Sequence, residues 1–481
     1  MSTRTVPAPT PPGCTETRDG REKCLAWGLL LFLSVAAWRW AGLRAADGPF
    51  FAAAAALLLA AALVARPRSW WSRDPFFWFG LVFLAYLACQ RWNAGRELRF
   101  DDAIRRWAYT DPPHPRWPWA FSRPEAAQML HWFFPAWAAG LCVRCPALSR
   151  RGLRPVLHGL AYNAAALALF GTVRELAGAQ SLFGYRPAYA DFFATFTYTN
   201  HAAAYFLLMA ALAAGLLFRQ VFRRDRPGRR IEKAALAASL LLCLVGANLS
   251  LSRAGIILSW ALALFIAGYG LARGWRLWRP AARLRMAVLT AAAAVVFVLT
   301  VAGAGGEAIR REFTLRRRPA HQAVPGLEQV NLDLSDRPRL WGAAWAIFRD
   351  HPWYGTGGWG FRYLAAFYLP RDHWSSLKSN PGRANAHCDP LQFLVEFGIA
   401  GAGGLALAWG ALAAGLFRRD LARGALFTLS CAGLTLVAAF SLIDLPFRCP
   451  SVLWTWTVVL AALPKCTARE PREVGAAAVK H

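Results

Sequence analysis

The chain is short of charge, and most of what it carries has one sign. Charged residues make up 17% of its 481 positions, where soluble domains average about 25%. Asp and Glu total 27 against 55 Lys and Arg, a formal net charge of +28. With 56% hydrophobic residues, such a chain is neither disordered nor collagen-like. The 10 cysteines are scattered and give no disulfide framework. Cys142-Val-Arg-Cys145 has no second C-x-x-C to complete a zinc site. A P-loop, a D-x-D pair and a His/Cys metal constellation are all missing, so the chemistry expected is nucleotide-free, metal-free and without a cofactor. No internal repeat and no inverted pair of Gly/Pro-broken segments appears, which weighs against a secondary transporter.

What is present is a series of apolar blocks of about 15–25 residues, the length that spans a bilayer as a helix. A helix is required there because lipid cannot satisfy exposed backbone groups. The blocks fall at about 25–43, 49–65, 76–92, 131–148, 153–175, 200–218, 234–252, 254–272, 287–303, 392–416, 425–443 and 450–463. The fold expected is an all-α polytopic membrane protein with about twelve transmembrane helices. No cleavable signal peptide stands at the usual place. Residues 1–24 read as a disordered cytoplasmic tail, 25–190 as N-terminal transmembrane helices, 191–463 as a second transmembrane region, and 464–481 as another cytoplasmic tail.

The basic excess is placed where topology is decided. Short loops with Arg66/Arg68/Arg73, Arg150/Arg151/Arg154, Arg219 to Lys233, Arg273 to Arg285 and Arg418/Arg419/Arg423 all fall on one side if the N-terminus is inside. In a soluble protein this charge would point to nucleic acid; flanking apolar blocks, it points to membrane lipids. Three longer segments then face outward, about 93–130, 176–199 and 304–391. Long irregular segments are usually functional, so the chemistry is sought on that face.

Several stretches there bear weighing. Gly355-Thr-Gly357-Gly-Trp-Gly360 matches G-x-G-x-x-G, but no strand precedes it and no βαβ unit surrounds it. It reads as a tight turn whose glycines supply positive φ. Asn385-Ala-His387-Cys-Asp-Pro-Leu391-Gln392 stands where the longest outer segment re-enters the membrane. His387 is either a proton-handling group near water or a residue anchoring a helix start. Asp389-Pro390 reads as N-cap and first helical position. Asp336-Arg337-Pro-Arg339-Leu-Trp341 offers guanidinium forks suited to phosphate, or simply solvated charge. Arg253 lies in a hairpin with almost no loop; an ionisable group at that depth is functional by default, unless it snorkels. Asp444-Leu-Pro446 can pair with such an arginine, and Tyr198-Thr-Asn200-His201 opens another helix on the same face. Cys388 and Cys449 share that face, which leaves a disulfide between them open.

Together these stretches resemble the bacterial O-antigen ligase / O-antigen polymerase family of membrane glycosyltransferases. The family's motif is a His followed by a small polar residue, then Leu and two Gly. His387, Leu391, Gly398 and Gly401 match its spacing, while Cys388 departs from the usual Asn, Ser or Gln. Thr199-Asn200-His201-Ala202, Leu251-Ser252-Arg253-Ala254-Gly255, Arg339-Leu-Trp341 with Pro352 to Gly360, and Ser441 to Pro446 resemble four further pieces, over roughly 190–460.

The resemblance implies a large membrane glycosyltransferase architecture (GT-C-like), set in the bacterial inner membrane with both termini cytoplasmic. It implies a metal-independent enzyme, active on the periplasmic face, that moves a glycan from a polyprenyl-diphosphate carrier to an acceptor hydroxyl on lipid A-core, a protein or a growing glycan. Carried over, His387 is the general base or acceptor-positioning group. Arg253 and Arg339 clamp the diphosphate, with Arg337 and Arg174 as helpers; Asp444 holds an arginine in place, and Asn200 and Asn385 support. Two other readings remain: a polysaccharide or lipid-linked-oligosaccharide transporter, and a scaffold whose Trp-rich outer loop binds glycan.

Overall fold

The computed structural model describes residues 13–65, 70–101, 105–179, 181–184, 192–222, 230–314, 337–369 and 385–468. Parts of the expected tails (1–12 and 469–481), of the 176–199 and 304–391 segments, and Arg66 and Arg68 lie outside these residues.

The described residues are mostly helical. Each apolar block falls on a helix: α1 (Gly13–Trp38), α2 (Gly48–Ala65), α3 (Pro75–Trp92), α4 (Arg123–Arg144), α5 (Arg150–Leu176), α6 (Thr199–Val221), α7 (Arg230–Leu249), α8 (Arg253–Leu277), α9 (Pro280–Thr314), α12 (Asp389–Ala413), α13 (Ala425–Phe440) and α14 (Pro450–Thr467). Two more, α10 (Arg337–Asp350) and α11 (Gly360–Tyr368), come before α12. Among the described residues, seven helices are long and apolar enough to cross a membrane, those based on α2, α5, α6, α7, α8, α9 and α12. The protein is a helical multi-pass membrane protein.

Packing ranks these helices. All residues from His201 to Leu216 of α6 are buried, as expected of a helix that is apolar all round and sits in the centre. It lies between α7 and α13, and small residues let the backbones approach: a Cβ added at Gly215 would stand 3.1 Å from Leu426 Cα, and one at Gly433 would stand 2.5 Å from Ala211 Cβ. By contrast, only 11% of the apolar window of α9 is buried, leaving its sides to lipid.

Helix α1 begins well before the apolar block at Leu25, and its polar start has work to do. The Glu22 carboxylate accepts from Ser149 N (2.9 Å), Gly152 N (3.0 Å) and Ser149 Oγ (2.5 Å). It thereby satisfies the free amides at the start of α5.

A second, smaller core lies beyond the bundle. Trp119, Phe121, Leu340, Ile347, Phe361 and Leu364 form it, joined by Ala386 and Val395. A feature the sequence reading did not anticipate flanks it, an antiparallel hairpin of β1 (Leu98–Asp101) and β2 (Arg106–Tyr109), with Leu98 opposite Tyr109 and Phe100 opposite Trp107. Alternation puts these four side chains on one face, and Tyr109 packs edge-on against Phe121 and Tyr363.

Helix α12 is two helices joined at Gly398, whose φ of 59° and ψ of −170° are not helical. The backbone groups freed there are taken by the 352–357 turn. Thr356 N donates to Val395 O (2.9 Å) and Gly357 N to Glu396 O (2.8 Å), while Ile399 N and Ala400 N donate to the carbonyls of Pro352 (2.7 Å) and Trp353 (3.1 Å). Glycine is obligatory on both sides. A Cβ at Gly398 would lie 2.4 Å from Trp353 O, and one at Gly355 would lie 2.5 Å from Gly398 N. The G-x-G-x-x-G stretch is thus a turn with Gly355 and Gly357 at positive φ, and its purpose is to close a broken helix.

Candidate functional site

Four helix starts and one turn meet at one end of the bundle. They are the starts of α6, α8, α10 and α12, and the turn 441–449 between α13 and α14. The same helices end in Arg219, Arg276 and, just after α12, Arg418, so the basic residues gather at the opposite end.

Asp444 is the centre of this convergence. Its side chain is 1% exposed, and a buried carboxylate is tolerated only if it is paired and hydrogen-bonded. Tyr198 Oη donates to both carboxylate oxygens at 3.1 Å. The Leu445 amide donates to Oδ1 at 2.7 Å, and Asn200 Nδ2 donates to Oδ2. Arg337 Nη2 lies 3.4 Å from Oδ2, while its Nη1 donates to the Ile443 carbonyl. His387 Nδ1 stands 3.8 Å from Oδ2, within ion-pair range and too long for a hydrogen bond. Burial by itself would raise the Asp444 carboxyl; His387, the Leu445 amide and Arg337 outweigh it and hold the group below its ordinary value. Burial, reinforced by the Asp444 charge, keeps the Tyr198 phenol protonated, well above its usual range.

Each partner is fixed by local structure. Ser252 caps α8 by accepting from Gly255 N at 3.0 Å, and its hydroxyl donates to Asn200 Oδ1. Leu251 before it is left-handed, φ 58°. His387 is left-handed too, φ 49°, at a cost of about 1–2 kcal/mol for a residue with a side chain. Two such residues thus stand in the turns that deliver Arg253 and His387.

The structure brings His387, Asp444, Arg337 and Asn200 together, with Arg253 starting α8 directly after the Ser252 cap. Arg339 is exposed, two residues along α10 from Arg337, and Asn385 stands two residues before His387. Arg174 is engaged elsewhere: it donates to the carbonyls of Ala179 (2.7 Å) and Ala194 (3.4 Å) and lies over the Phe192 ring at 3.8 Å. Three local expectations shift. Helix α12 starts at Asp389 with Cys388 in the cap position, and the Asp389 carboxylate accepts from Phe447 N at 2.8 Å instead of capping. His201, which opens α6 on this face, does not reach the surface: it is buried and its Nε2 donates to the Leu445 carbonyl at 3.0 Å. Cys388 and Cys449 are both free.

A second ionic cluster was passed over in the sequence. Glu396 and Arg448 form a sealed pair, 0% and 3% exposed. Arg448 is sandwiched by rings, 4.8 Å from the Trp359 centroid and 5.6 Å from that of Phe393. The available signal was an ionisable residue inside an apolar helix; the motif spacing drew attention to Gly398 and away from Glu396. Among the described residues, no group of three or more His, Cys, Asp or Glu is placed to hold a metal.

Residues 238–406 match the family model described as O-antigen ligase. The matched stretch runs from α7 into α12 and contains Ser252, Arg253, Arg337, Arg339, Asn385 and His387; Tyr198, Asn200 and Asp444 fall outside it. No curated protein matches the chain. The family resemblance drawn from the motifs is borne out by this match.

Proposed function

We propose that this O-antigen ligase-like chain transfers a glycan from a polyprenyl-diphosphate carrier to an acceptor hydroxyl, on the outer face of the bacterial inner membrane, in assembly of a cell-envelope polysaccharide. The carrying observation is the His387–Asp444–Arg337 cluster, assembled from motif pieces remote in sequence. Basic residues at the far ends of the same helices support an outward site by the positive-inside rule, and about twelve spans fit both termini inside.

In the reaction, the acceptor oxygen forms a bond to the anomeric carbon. The bond from that carbon to the diphosphate oxygen breaks, and its electron pair leaves with the polyprenyl diphosphate. The hydroxyl proton passes to His387 Nε2. Asp444, facing Nδ1, orients the ring and stabilises the imidazolium that forms, much as a buried carboxylate serves a catalytic histidine elsewhere. The 3.8 Å separation closes when substrate fills the site, since catalytic hydrogen bonds are often long in unliganded enzymes. Arg337, Arg339 and Arg253 offset charge developing on the diphosphate, the role that lets fixed donors lower such barriers. Asn200 holds Asp444, and Asn385 supports the His387 turn. The chemistry requires no metal or cofactor, and the carrier's lipid tail keeps the donor among membrane lipids.

The test is glycan transfer in cells carrying His387→Ala at normal membrane level. Donor accumulating on the outer leaflet, with mature glycoconjugate lost, is the expected result. Donor retained on the inner leaflet would replace this reading with a transporter; unchanged glycoconjugate would reduce His387 to a helix anchor.

A further inference from the structure

The residue that precedes His387 is gripped at both of its peptide groups. The Ala386 amide donates to Gln392 Oε1 at 2.7 Å, and the Ala386 carbonyl accepts from Trp341 Nε1 at 3.0 Å. Ala386 itself is fully buried. These two bonds come from different elements, α12 and α10, and they fix the two peptide groups on either side of the Ala386 Cα, the second of which, held by Trp341, leads directly into the left-handed His387.

The grip also has a direction. A side-chain amide can face either way, and its orientation is decided by its partners. Gln392 Nε2 donates to Glu396 Oε1 at 2.5 Å, and Arg448 donates to Glu396 Oε2. Beside the Arg448 guanidinium, both Glu396 oxygens serve as acceptors. The Gln392 NH2 must therefore face Glu396, and its carbonyl oxygen must face Ala386. All three side chains are sealed from solvent: Gln392 and Glu396 are 0% exposed and Arg448 is 3%.

We propose that Trp341 and Gln392, the latter oriented by the Glu396–Arg448 pair, are positioning residues that clamp Ala386 through its two peptide groups and so aim His387 at Asp444. The assignment rests on the glycosyl-transfer reading of His387. It gives Trp341 and Gln392 work on the reacting histidine without contact with substrate, and gives the sealed ion pair a task besides stability.

The test uses the full chain in lipid nanodiscs, with polyprenyl-diphosphate-linked glycan extracted from His387→Ala cells as donor and acceptor-bearing membranes as acceptor. Trp341→Phe keeps the ring and removes the donor N–H; Gln392→Met keeps the length and removes both hydrogen bonds. Each is expected to lower kcat about tenfold, the rate equivalent of one lost hydrogen bond, with KM for the donor within about twofold. The double variant should be little slower than the slower single one, because both release the same residue, Ala386. A raised KM at unchanged kcat, or wild-type kcat in Trp341→Phe, overturns the proposal. Trp341 is only half-buried, so its variant decides the question even if Gln392→Met fails to fold. Wild type without transfer overturns the transfer reading itself; an active His387→Ala control overturns His387 as the reacting group; an inactive control with active clamp variants overturns the clamp alone.

Discussion

Two buried carboxylates at the same end of this bundle have opposite surroundings. Asp444 is approached by a crowd of neutral donors, by Arg337 at 3.4 Å and by His387 at 3.8 Å. Those two side chains keep 13% and 18% of their surface open. Glu396 has one guanidinium and one amide, and neither it nor Arg448 reaches water. The first arrangement is loose and reachable, so a proton can move through it. The second is closed and tight, so a geometry can be stored in it. The glycosyl-transfer reading calls for both, and the chain builds them from the two halves of the same turn, with Asp444 and Arg448 only four residues apart.

That contrast can be broken from either end. The largest effect is expected at the open site, where His387→Ala should reduce transfer about 10²–10⁴-fold, the usual contribution of a general base, measured as turnover at matched protein level. Next is the closed pair. Arg448→Met leaves a buried, uncompensated Glu396 charge and should cost about 3–5 kcal/mol, seen as a lowered melting temperature and membrane level. Glu396→Leu combined with Arg448→Met should recover much of that stability. If the double variant is as unstable as the single one, the pair is more than an offset charge.

Smaller effects sharpen the comparison. Asp444→Asn preserves shape and should lower turnover about ten- to a hundredfold, as loss of a partner that acts through another group commonly does. It also carries a pH signature. The folded Asp444 carboxyl lies below its ordinary value, so its contribution is present above the unfolded pKa and lost as pH falls through the folded one. Below about pH 4, wild type should lose thermal stability faster than Asp444→Asn; parallel acid profiles would remove Asp444 as a stabilising carboxylate. The smallest effect is expected for Arg174→Ala. Its contacts are the Ala179 and Ala194 carbonyls and the Phe192 ring, so turnover should hold while stability drops by about 1–2 kcal/mol. A collapse in turnover would return Arg174 to the donor site.

Much of this was legible before any coordinates. Apolar blocks of bilayer length located the helices, because burial in lipid demands both length and composition. His387, Asn200 and Asp444 were legible through motif resemblance, Arg337 only as a helper beside Arg339, and the four do converge. Which arginine meets Asp444 was not, since a pair separated by 107 positions leaves no local trace. The hairpin of β1 and β2 was hidden because each strand is four residues long. Glu396 and Arg448 escaped because a motif is noticed at its invariant-looking ends, whereas the energetics reside in what one buried group demands of another. The polar start of α1 looked like tail because capping of α5 by Glu22 is a tertiary fact.

The joint at Gly398 carries a consequence for how this chain can drift. The two halves of α12 are spliced by main-chain bonds from a segment over forty residues earlier, and main chain has no memory of side-chain identity. Pro352, Trp353 and Thr356 offer the joint only their peptide groups, apart from one Thr356 hydroxyl bond to Val395 O. Substitution there should be cheap over generations, while Gly355 and Gly398 stay frozen by the 2.4–2.7 Å approaches that a Cβ would meet. A chain spliced in this way can rewrite the surface near His387 and still keep the two halves of α12 joined.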